Sequence, residues 1–149
     1  MKREAAFWDA SALVPLFVHE ASSRFARQQA RRFAVVVWWA SSLEVFSAIC
    51  RLRRTRNISE AEWQEGSARL AALRQSWREV LPGDDVRNSA KQLLERHPLR
   101  AGDSLQLAAA LVWCGGRASK RVFLCGDQRL SEAAKAAGFA VIELPQASP

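Results

Sequence analysis

Short apolar runs alternate with helix-like stretches along the whole chain of 149 residues, and this alternation constrains the fold more than any other feature. Strands that alternate with helices form a parallel sheet covered by helices on both faces. We therefore predict a single α/β domain of three layers over residues 1–149. The apolar runs predicted as strands are residues 5–9, 33–39, 79–82, 121–125 and 139–144, of which 79–82 is expected at an edge because Pro82 cannot donate to a sheet.

Helices are predicted between these strands. Apolar residues at helical spacing, from Leu13 through Leu16 to Phe25, predict a first helix from Ser11 onward, with Pro15 in its first turn. Two Ser-x-x-Glu sequences, which begin at Ser41 and Ser59, have the form of a capping box and predict two further helix starts. The remaining helices are predicted to begin at Asp84 or Asp85, at Asp103 and at Asp127.

The chain is strongly basic, with a formal net charge of +7 and an isoelectric point of about 10.3. Its positive charge comes from 18 Arg and 4 Lys, and arginine is the better ligand for phosphate. Binding to nucleic acid is thus one explanation of the positive charge. Origin from a proteome rich in Arg and Ala explains it equally well. The exposed positive charge is expected in two clusters, Arg24, Arg27, Arg31 and Arg32, and Arg51, Arg53, Arg54 and Arg56.

The same composition excludes several classes. Hydrophobic residues make up 49% of the chain and charged residues 25%, which argues against disordered, collagen-like and coiled-coil proteins. No apolar run approaches the roughly 18 residues of a membrane helix, and no signal peptide is apparent, so we expect a cytoplasmic protein without a membrane partner. The three cysteines (50, 114 and 125) are far apart and are expected to be buried free thiols.

Four acidic residues occupy the places where a parallel sheet gathers its ligands. Asp9 and Asp127 follow apolar strands, Asp103 heads a helix, and Glu44 lies a few residues after the strand at 33–39. Strand carboxyl ends and helix amino ends meet at the same edge of such a sheet, so these side chains are expected to converge there. Taken singly, each has the alternative role of a helix cap.

Four converging carboxylates repel one another unless they bind protons or share a cation. Hard divalent cations with oxygen ligands suit such a group, so Mg²⁺ or Mn²⁺ is the predicted cofactor, and the lack of histidine in the four segments disfavours zinc. A cation held by carboxylates activates water and neutralises phosphate charge. Together with the basic surface, this pattern favours a nuclease.

Four segments then carry a resemblance to a known family. They are Phe7-Trp8-Asp9-Ala10-Ser11-Ala12-Leu13, Ser42-Leu43-Glu44-Val45, Gly102-Asp103-Ser104-Leu105-Gln106-Leu107-Ala108 and Leu124-Cys125-Gly126-Asp127-Gln128-Arg129-Leu130. In order and spacing they resemble the acidic motifs of PIN-domain ribonucleases, and the chain length is similar to that of VapC-type toxins of toxin–antitoxin pairs. The resemblance covers essentially the whole chain.

The resemblance implies a Mg²⁺- or Mn²⁺-dependent endoribonuclease with a five-stranded parallel sheet. It also implies an RNA substrate, a homodimer and inhibition by a cognate, VapB-like antitoxin. Carried over by position, the metal-binding and catalytic acids are Asp9, Glu44, Asp103 and Asp127, and Ser11 is a catalytic helper beside the first of them.

Two alternatives to the toxin hypothesis remain. One is another metal-dependent nuclease or phosphatase on a similar sheet, although such enzymes usually carry extra acids or inserted helices. The other is an RNA-binding module that has lost catalysis, against which the presence of all four acids argues. The tryptophans in or beside strands, Trp8, Trp38 and Trp39, are candidates for stacking on RNA bases, but core packing is favoured for each of them.

Overall fold

The computed structural model describes residues 2–146 and contains a five-stranded sheet in which every neighbouring pair is parallel. The strand order is β3-β2-β1-β4-β5, so β1 lies in the centre and β3 at an edge. This confirms the predicted parallel α/β fold and the edge position of the third strand. The strands are β1 (Ala5–Trp8), β2 (Ala34–Trp38), β3 (Arg78–Val80), β4 (Val122–Cys125) and β5 (Ala140–Glu143).

Helices connect successive strands and flank the sheet. None of the helices within residues 2–146 is both long and apolar enough to cross a membrane. The helices are α1 (Ala10–Leu13), a short 3₁₀ helix (Val14–Leu16), α2 (Ser23–Arg32), α3 (Ser41–Arg54), α4 (Glu60–Arg74), α5 (Asp84–Arg96), α6 (Ala101–Trp113) and α7 (Gln128–Ala136).

The central strands are apolar on both faces because each face is covered by helices. Phe7 and Phe123 stack on one face, with ring centroids 5.5 Å apart, within a core shared with α5, α6 and α7. Trp8 and Leu124 point to the opposite face, where the core includes residues of α1, α2, α3 and α4. Such continuous apolar strands are typical of a buried parallel sheet. The two cores hold the carboxyl ends of β1 and β4 rigidly side by side.

The first predicted helix is interrupted. Helix α1 ends at Leu13, a 3₁₀ turn follows, and α2 begins only at Ser23. Pro15 lies at the start of the 3₁₀ turn, where its missing N–H group costs nothing, but it prevents a continuous α-helix through this segment. The prediction of one helix from Ser11 to Phe25 is therefore wrong.

Three of the expected helix caps are also wrong, and two of these errors involve candidate acids. Helix α3 has Ala40 at its N-cap with no side-chain bond, so Ser41 and Glu44 do not form a capping box. Helix α6 has Arg100 at its N-cap, which makes Asp103 the third helical residue. Neither Glu44 nor Asp103 is therefore the N-cap of its helix, although the Asp103 carboxylate accepts the backbone N–H of the N-cap residue Arg100.

Of the other cap predictions, those at Ser59 and Asp127 are confirmed and the one for α5 is wrong. The capping box at Ser59 is confirmed, since Ser59 and Glu62 exchange hydrogen bonds of 3.0 and 3.1 Å. Helix α5 instead has Gly83 at its N-cap, ahead of Asp84 and Asp85. Asp127 caps α7 as predicted.

The tryptophans and cysteines complete the comparison with the sequence. Trp8 and Trp38 are buried, as predicted, but Trp39 is 50% exposed because it follows the last residue of β2 at the rim of the sheet. All three cysteines are free thiols.

The contact between α4 and the residues after α1 gives a stability prediction. A Cβ added at Gly66 would lie 2.7 Å from the backbone oxygen of Phe17, so Gly66→Ala must push two backbone segments apart. We expect it to lower the free energy of unfolding by about 1–3 kcal/mol in a urea titration followed by circular dichroism. The matched control is Gly102→Ala in α6, where nothing lies within 4 Å of the new Cβ. Equal losses in the two variants would contradict this account.

Candidate active site

Asp9 is placed at the centre of the sheet edge by β1. Its backbone N–H donates to the Leu124 carbonyl of the neighbouring strand at 3.0 Å, and its side chain then caps α1. Oδ2 accepts the backbone N–H of Ser11 at 3.1 Å and also the Ser11 hydroxyl. Only 4% of Asp9 is exposed, so these bonds hold a carboxylate that has lost most of its contact with water.

Ser11 joins the two central strand–helix turns. Its hydroxyl donates to Asp9 and accepts the backbone N–H of Gly126, in the turn after β4, at 2.8 Å. A Cβ at Gly126 would be in ordinary van der Waals contact with Ser11, 3.4 Å from its backbone oxygen, so the two turns lie against each other. Ser11 therefore fixes the position of Asp9 relative to the fourth acidic segment.

Glu44 lies in the first turn of α3 and is half-buried. Its Oε2 accepts the side-chain amide of Gln106 at 3.1 Å, and the same amide nitrogen lies 3.0 Å from the buried Ser41 hydroxyl. Ser41 therefore contacts a side chain of α6 instead of capping its own helix. These contacts connect α3 to the helix that carries Asp103.

The remaining two acids lie on the helices that flank β4. Asp127 is exposed and accepts the backbone N–H of Leu130 at Oδ1, at 2.9 Å. Asp103 is half-buried in the first turn of α6. Both side chains thus sit at helix amino ends, where the backbone N–H groups favour negative charge.

The pKa shifts show that these carboxylates lie within range of one another's charge. Burial raises the pKa of Asp9 to about 6; the hydrogen bonds from Ser11 oppose that rise and the charge of Asp103 adds to it. Burial raises the pKa of Glu44 to about 7, with contributions from the charges of Asp9 and Asp103, while the Gln106 bond acts in the opposite direction. Burial and the charge of Asp127 raise the pKa of Asp103. The charges of Asp9 and Asp103 therefore act on Glu44, the charge of Asp103 acts on Asp9, and Asp127 acts only on Asp103.

Two arginines partly balance this group, and they are not in the clusters that the sequence singled out. The charges of Arg100 and Arg129 favour the ionised form of Asp103. They lie at the N-cap of α6 and in the first turn of α7. Both are exposed, so they place positive charge beside the acids where a substrate can reach it.

The donor set fits a hard divalent cation. Carboxylate oxygens are the ligands that Mg²⁺ and Mn²⁺ prefer. The Cys125 thiol lies 3.8 Å from Asp9 Oδ2, but burial and the charge of Asp9 raise its pKa to about 12, which keeps it neutral and unsuited to a metal. The donors thus have the right chemistry, but within residues 2–146 no group of three or more His, Cys, Asp or Glu side chains is placed so that it could hold a metal ion.

Gln106 and Ser41 are the site residues that sequence reasoning missed as such. A polar residue in the apolar run from Leu105 to Val112 was the available signal, since an amide on a buried helix face needs a partner. Ser41 gave no separate signal, because its sequence context favoured a capping box. Only the tertiary structure, in which the Gln106 side chain of α6 reaches the start of α3, shows that the two residues bond each other.

The repulsion within the acidic group predicts that removing one charge stabilises the metal-free protein. We expect Asp9→Asn to raise the free energy of unfolding at pH 8 in EDTA by about 1–2 kcal/mol, because asparagine still accepts the capping bonds but carries no buried charge. Thermal unfolding in EDTA measures this effect. The matched control is Asp84→Asn, at an exposed surface ion pair with Arg87, where no measurable change is expected. A lower stability of Asp9→Asn would show that the carboxylate is needed for folding.

Comparisons with known proteins identify the fold. No family model and no curated protein matches the sequence. Among solved structures, a toxin–antitoxin complex from Klebsiella pneumoniae is 15% identical, with a TM-score of 0.58 over 83% of this chain and 87% of that chain. PAE2754 from Pyrobaculum aerophilum is 19% identical, with a TM-score of 0.62 over 94% of this chain and 89% of that chain. The chain thus has a PIN-like fold that is similar to the fold of a toxin–antitoxin protein.

Proposed function

We propose that this protein is a metal-dependent endoribonuclease and the toxin of a type II toxin–antitoxin system. The observation that carries this proposal is the group of four carboxylates at one edge of a parallel sheet. These side chains come from four separate segments, and each shifted pKa among them includes the charge of another member. Asp9 and Asp127 are the N-caps of α1 and α7, whereas Glu44 and Asp103 are not the N-caps of their helices.

Asp9, Glu44, Asp103 and Asp127 would hold Mg²⁺ or Mn²⁺, and Ser11 would assist by fixing Asp9. When bound, such a cation lowers the pKa of water and neutralises charge on a phosphate, which suits hydrolysis of a phosphodiester by in-line attack. Arg100 and Arg129 would bind the phosphates on either side of the cleaved bond. Their guanidinium groups are exposed, and their charge acts on Asp103.

The basic face of α2 is the proposed RNA-binding surface outside the site. Arg24, Arg27 and Arg31 share one face of the helix, are exposed, and form no salt bridge within the described chain. Helix α2 contains no acidic residue. The cluster at the end of α3 is partly neutralised instead, because Arg53 bonds Glu60 at 2.8 Å and lies over the ring of Trp63.

An antitoxin is the proposed protein partner, since one solved structure of the same fold is a toxin–antitoxin complex. Exposed apolar side chains at the rim of the sheet provide a surface for it. Trp39 and Leu81 follow the paired strands β2 and β3, and Leu43 precedes Glu44; all three are at least half exposed. A partner that covers them would also cover the acids. The homodimer implied by the family resemblance stays a prediction.

The central test is a cleavage assay with Mg²⁺, with Mn²⁺ and with EDTA on RNA, single-stranded DNA and a phosphomonoester. We expect RNA to be cleaved with either cation, and Asp9→Asn or Asp103→Asn to reduce the rate by about 100-fold or more. Asp84→Asn is the control with unchanged activity. Preference for DNA or for the phosphomonoester would favour the alternative enzymes, and RNA binding without cleavage under any condition would favour a binding module.

The α2 surface has a separate test. Replacing Arg24, Arg27 and Arg31 together with alanine is expected to weaken RNA binding about tenfold or more and to reduce its salt dependence, because fewer counterions are displaced. Fluorescence anisotropy at several salt concentrations measures both effects. The matched variant replaces Arg51, Arg54 and Arg56, which removes the same charge from the end of α3 and the turn after it. A larger loss in that variant would place the RNA on α3.

A further inference from the structure

A cavity of about 420 Å³ lies beside the turn that carries Asp9. Its walls are the start of α1, the turn before α2, the turn after β4 and the segment after β5. Ser11 and Gly126 both line it, and the Ser11 hydroxyl bonds Asp9. Small-molecule sites have volumes of roughly 300–1,000 Å³, so the cavity is large enough for one nucleobase. An occupant would lie within one side chain of Asp9.

Glu20 brings an unpartnered carboxylate to this cavity. The side chain is half-buried at the cavity wall, and it forms neither a salt bridge nor a hydrogen bond with any residue between 2 and 146. Burial raises the pKa of Glu20, because the carboxylate has lost part of its contact with water without gaining a donor. Such a carboxylate suits a ligand that supplies the missing donors.

The turn that carries Glu20 is fixed by a buried serine. The backbone N–H of Glu20 donates to the Ser23 hydroxyl at 2.8 Å, and its carbonyl accepts the Ser23 N–H at 3.1 Å. The Ser23 hydroxyl in turn donates to the Val18 carbonyl at 3.0 Å. Ser22, also at the cavity wall and only 8% exposed, is the N-cap of α2, but its hydroxyl makes no capping bond. The fold thus holds two polar side chains at the cavity without using them for its own structure.

The cavity adjoins the basic face of α2, which is the proposed RNA-binding surface. Arg24, the first arginine of that face, comes two residues after Ser22. An RNA strand that runs from this face to Asp9 passes over the cavity, and an unstacked base can enter it. Leu144 and Pro145 provide apolar surface against which the base can pack. Sequence-specific recognition of RNA commonly uses unstacked bases that are hydrogen-bonded on their Watson–Crick edges.

We propose that the cavity is a base-binding pocket for the RNA substrate and that the Glu20 carboxylate selects guanine there. The Watson–Crick edge of guanine offers two adjacent donors, N1–H and the N2 amino group, and an ionised carboxylate accepts both. The other three bases of RNA each place an acceptor beside their donor, where it would face a carboxylate oxygen. The Ser22 hydroxyl would donate to guanine O6. This inference rests on the proposed function, since it names a preferred base of the RNA substrate, but base binding needs no metal ion.

The test is fluorescence anisotropy of the full chain in EDTA with a nine-nucleotide uridine RNA whose central nucleotide is guanosine, inosine, adenosine, cytidine or uridine. We expect guanosine to bind about tenfold or more tightly than adenosine, cytidine and uridine, and inosine, which lacks the N2 amino group, to lose most of that gain. Glu20→Gln keeps the size of the side chain but has one acceptor, so it is expected to remove the difference between guanosine and inosine. The matched control is Glu95→Gln, an exposed position on α5 that removes the same charge and should leave the preference unchanged.

The outcomes separate this inference from the proposed function. Equal binding of the four standard bases by the wild-type chain would overturn the guanine pocket, and so would a difference between guanosine and inosine that persists in full in Glu20→Gln. If Glu20→Gln does not fold, Ser22→Ala is expected to reduce the preference by a smaller factor, and an unchanged preference would overturn the pocket. A guanosine preference without cleavage in Mg²⁺ or Mn²⁺ would support the pocket and overturn the nuclease. A chain that binds none of these RNAs would overturn both.

Discussion

The burial of like charges around Asp9 is the interaction on which the rest of the structure depends. The side chain of Asp9 is almost fully buried at the end of the central strand, and a buried carboxylate is tolerated only where hydrogen bonds or a cation compensate its charge. Ser11 supplies two such bonds and also fastens the neighbouring turn at Gly126. The charges of Glu44 and Asp103 add further strain to this group. This arrangement of buried carboxylates lowers the stability of the fold. Strongly perturbed pKa values cluster at functional sites, so the arrangement indicates one here.

The helix caps show how two of these acids remain available. A serine followed three residues later by a glutamate commonly caps the start of a helix, and at Ser59 it does so. At Ser41 the same sequence pattern does not cap α3, because Gln106 from α6 contacts both the serine and the glutamate. The tertiary contact competes with the local one and directs Glu44 toward the other acids. The Ser-x-x-Glu pattern is the same at Ser41 and at Ser59, but only at Ser41 does a side chain from another helix, Gln106, contact it.

Low sequence identity to structures of the same fold is understandable from where the constraints lie. The two cores need apolar residues of suitable volume on both faces of the sheet, a requirement that many sequences satisfy. The acidic edge needs particular side chains at a few strand and helix ends. Because a fold by itself does not specify an activity, the proposed function depends on those side chains and on the donors that orient them.

The sequence by itself determined the alternation of strands and helices, the parallel sheet and the four acidic positions, because these depend on local periodicity and on the fixed direction of parallel strands. It also indicated the caps at Asp9, Ser59 and Asp127. Only the tertiary structure decided that Glu44 and Asp103 are not the N-caps of their helices, that Gln106 bonds Glu44, that Trp39 is exposed, and that the charges of Arg100 and Arg129 act on Asp103. Each of these depends on which side chain of a distant segment arrives at a given point, and that is set by the packing of helices against the sheet, which local sequence patterns do not encode.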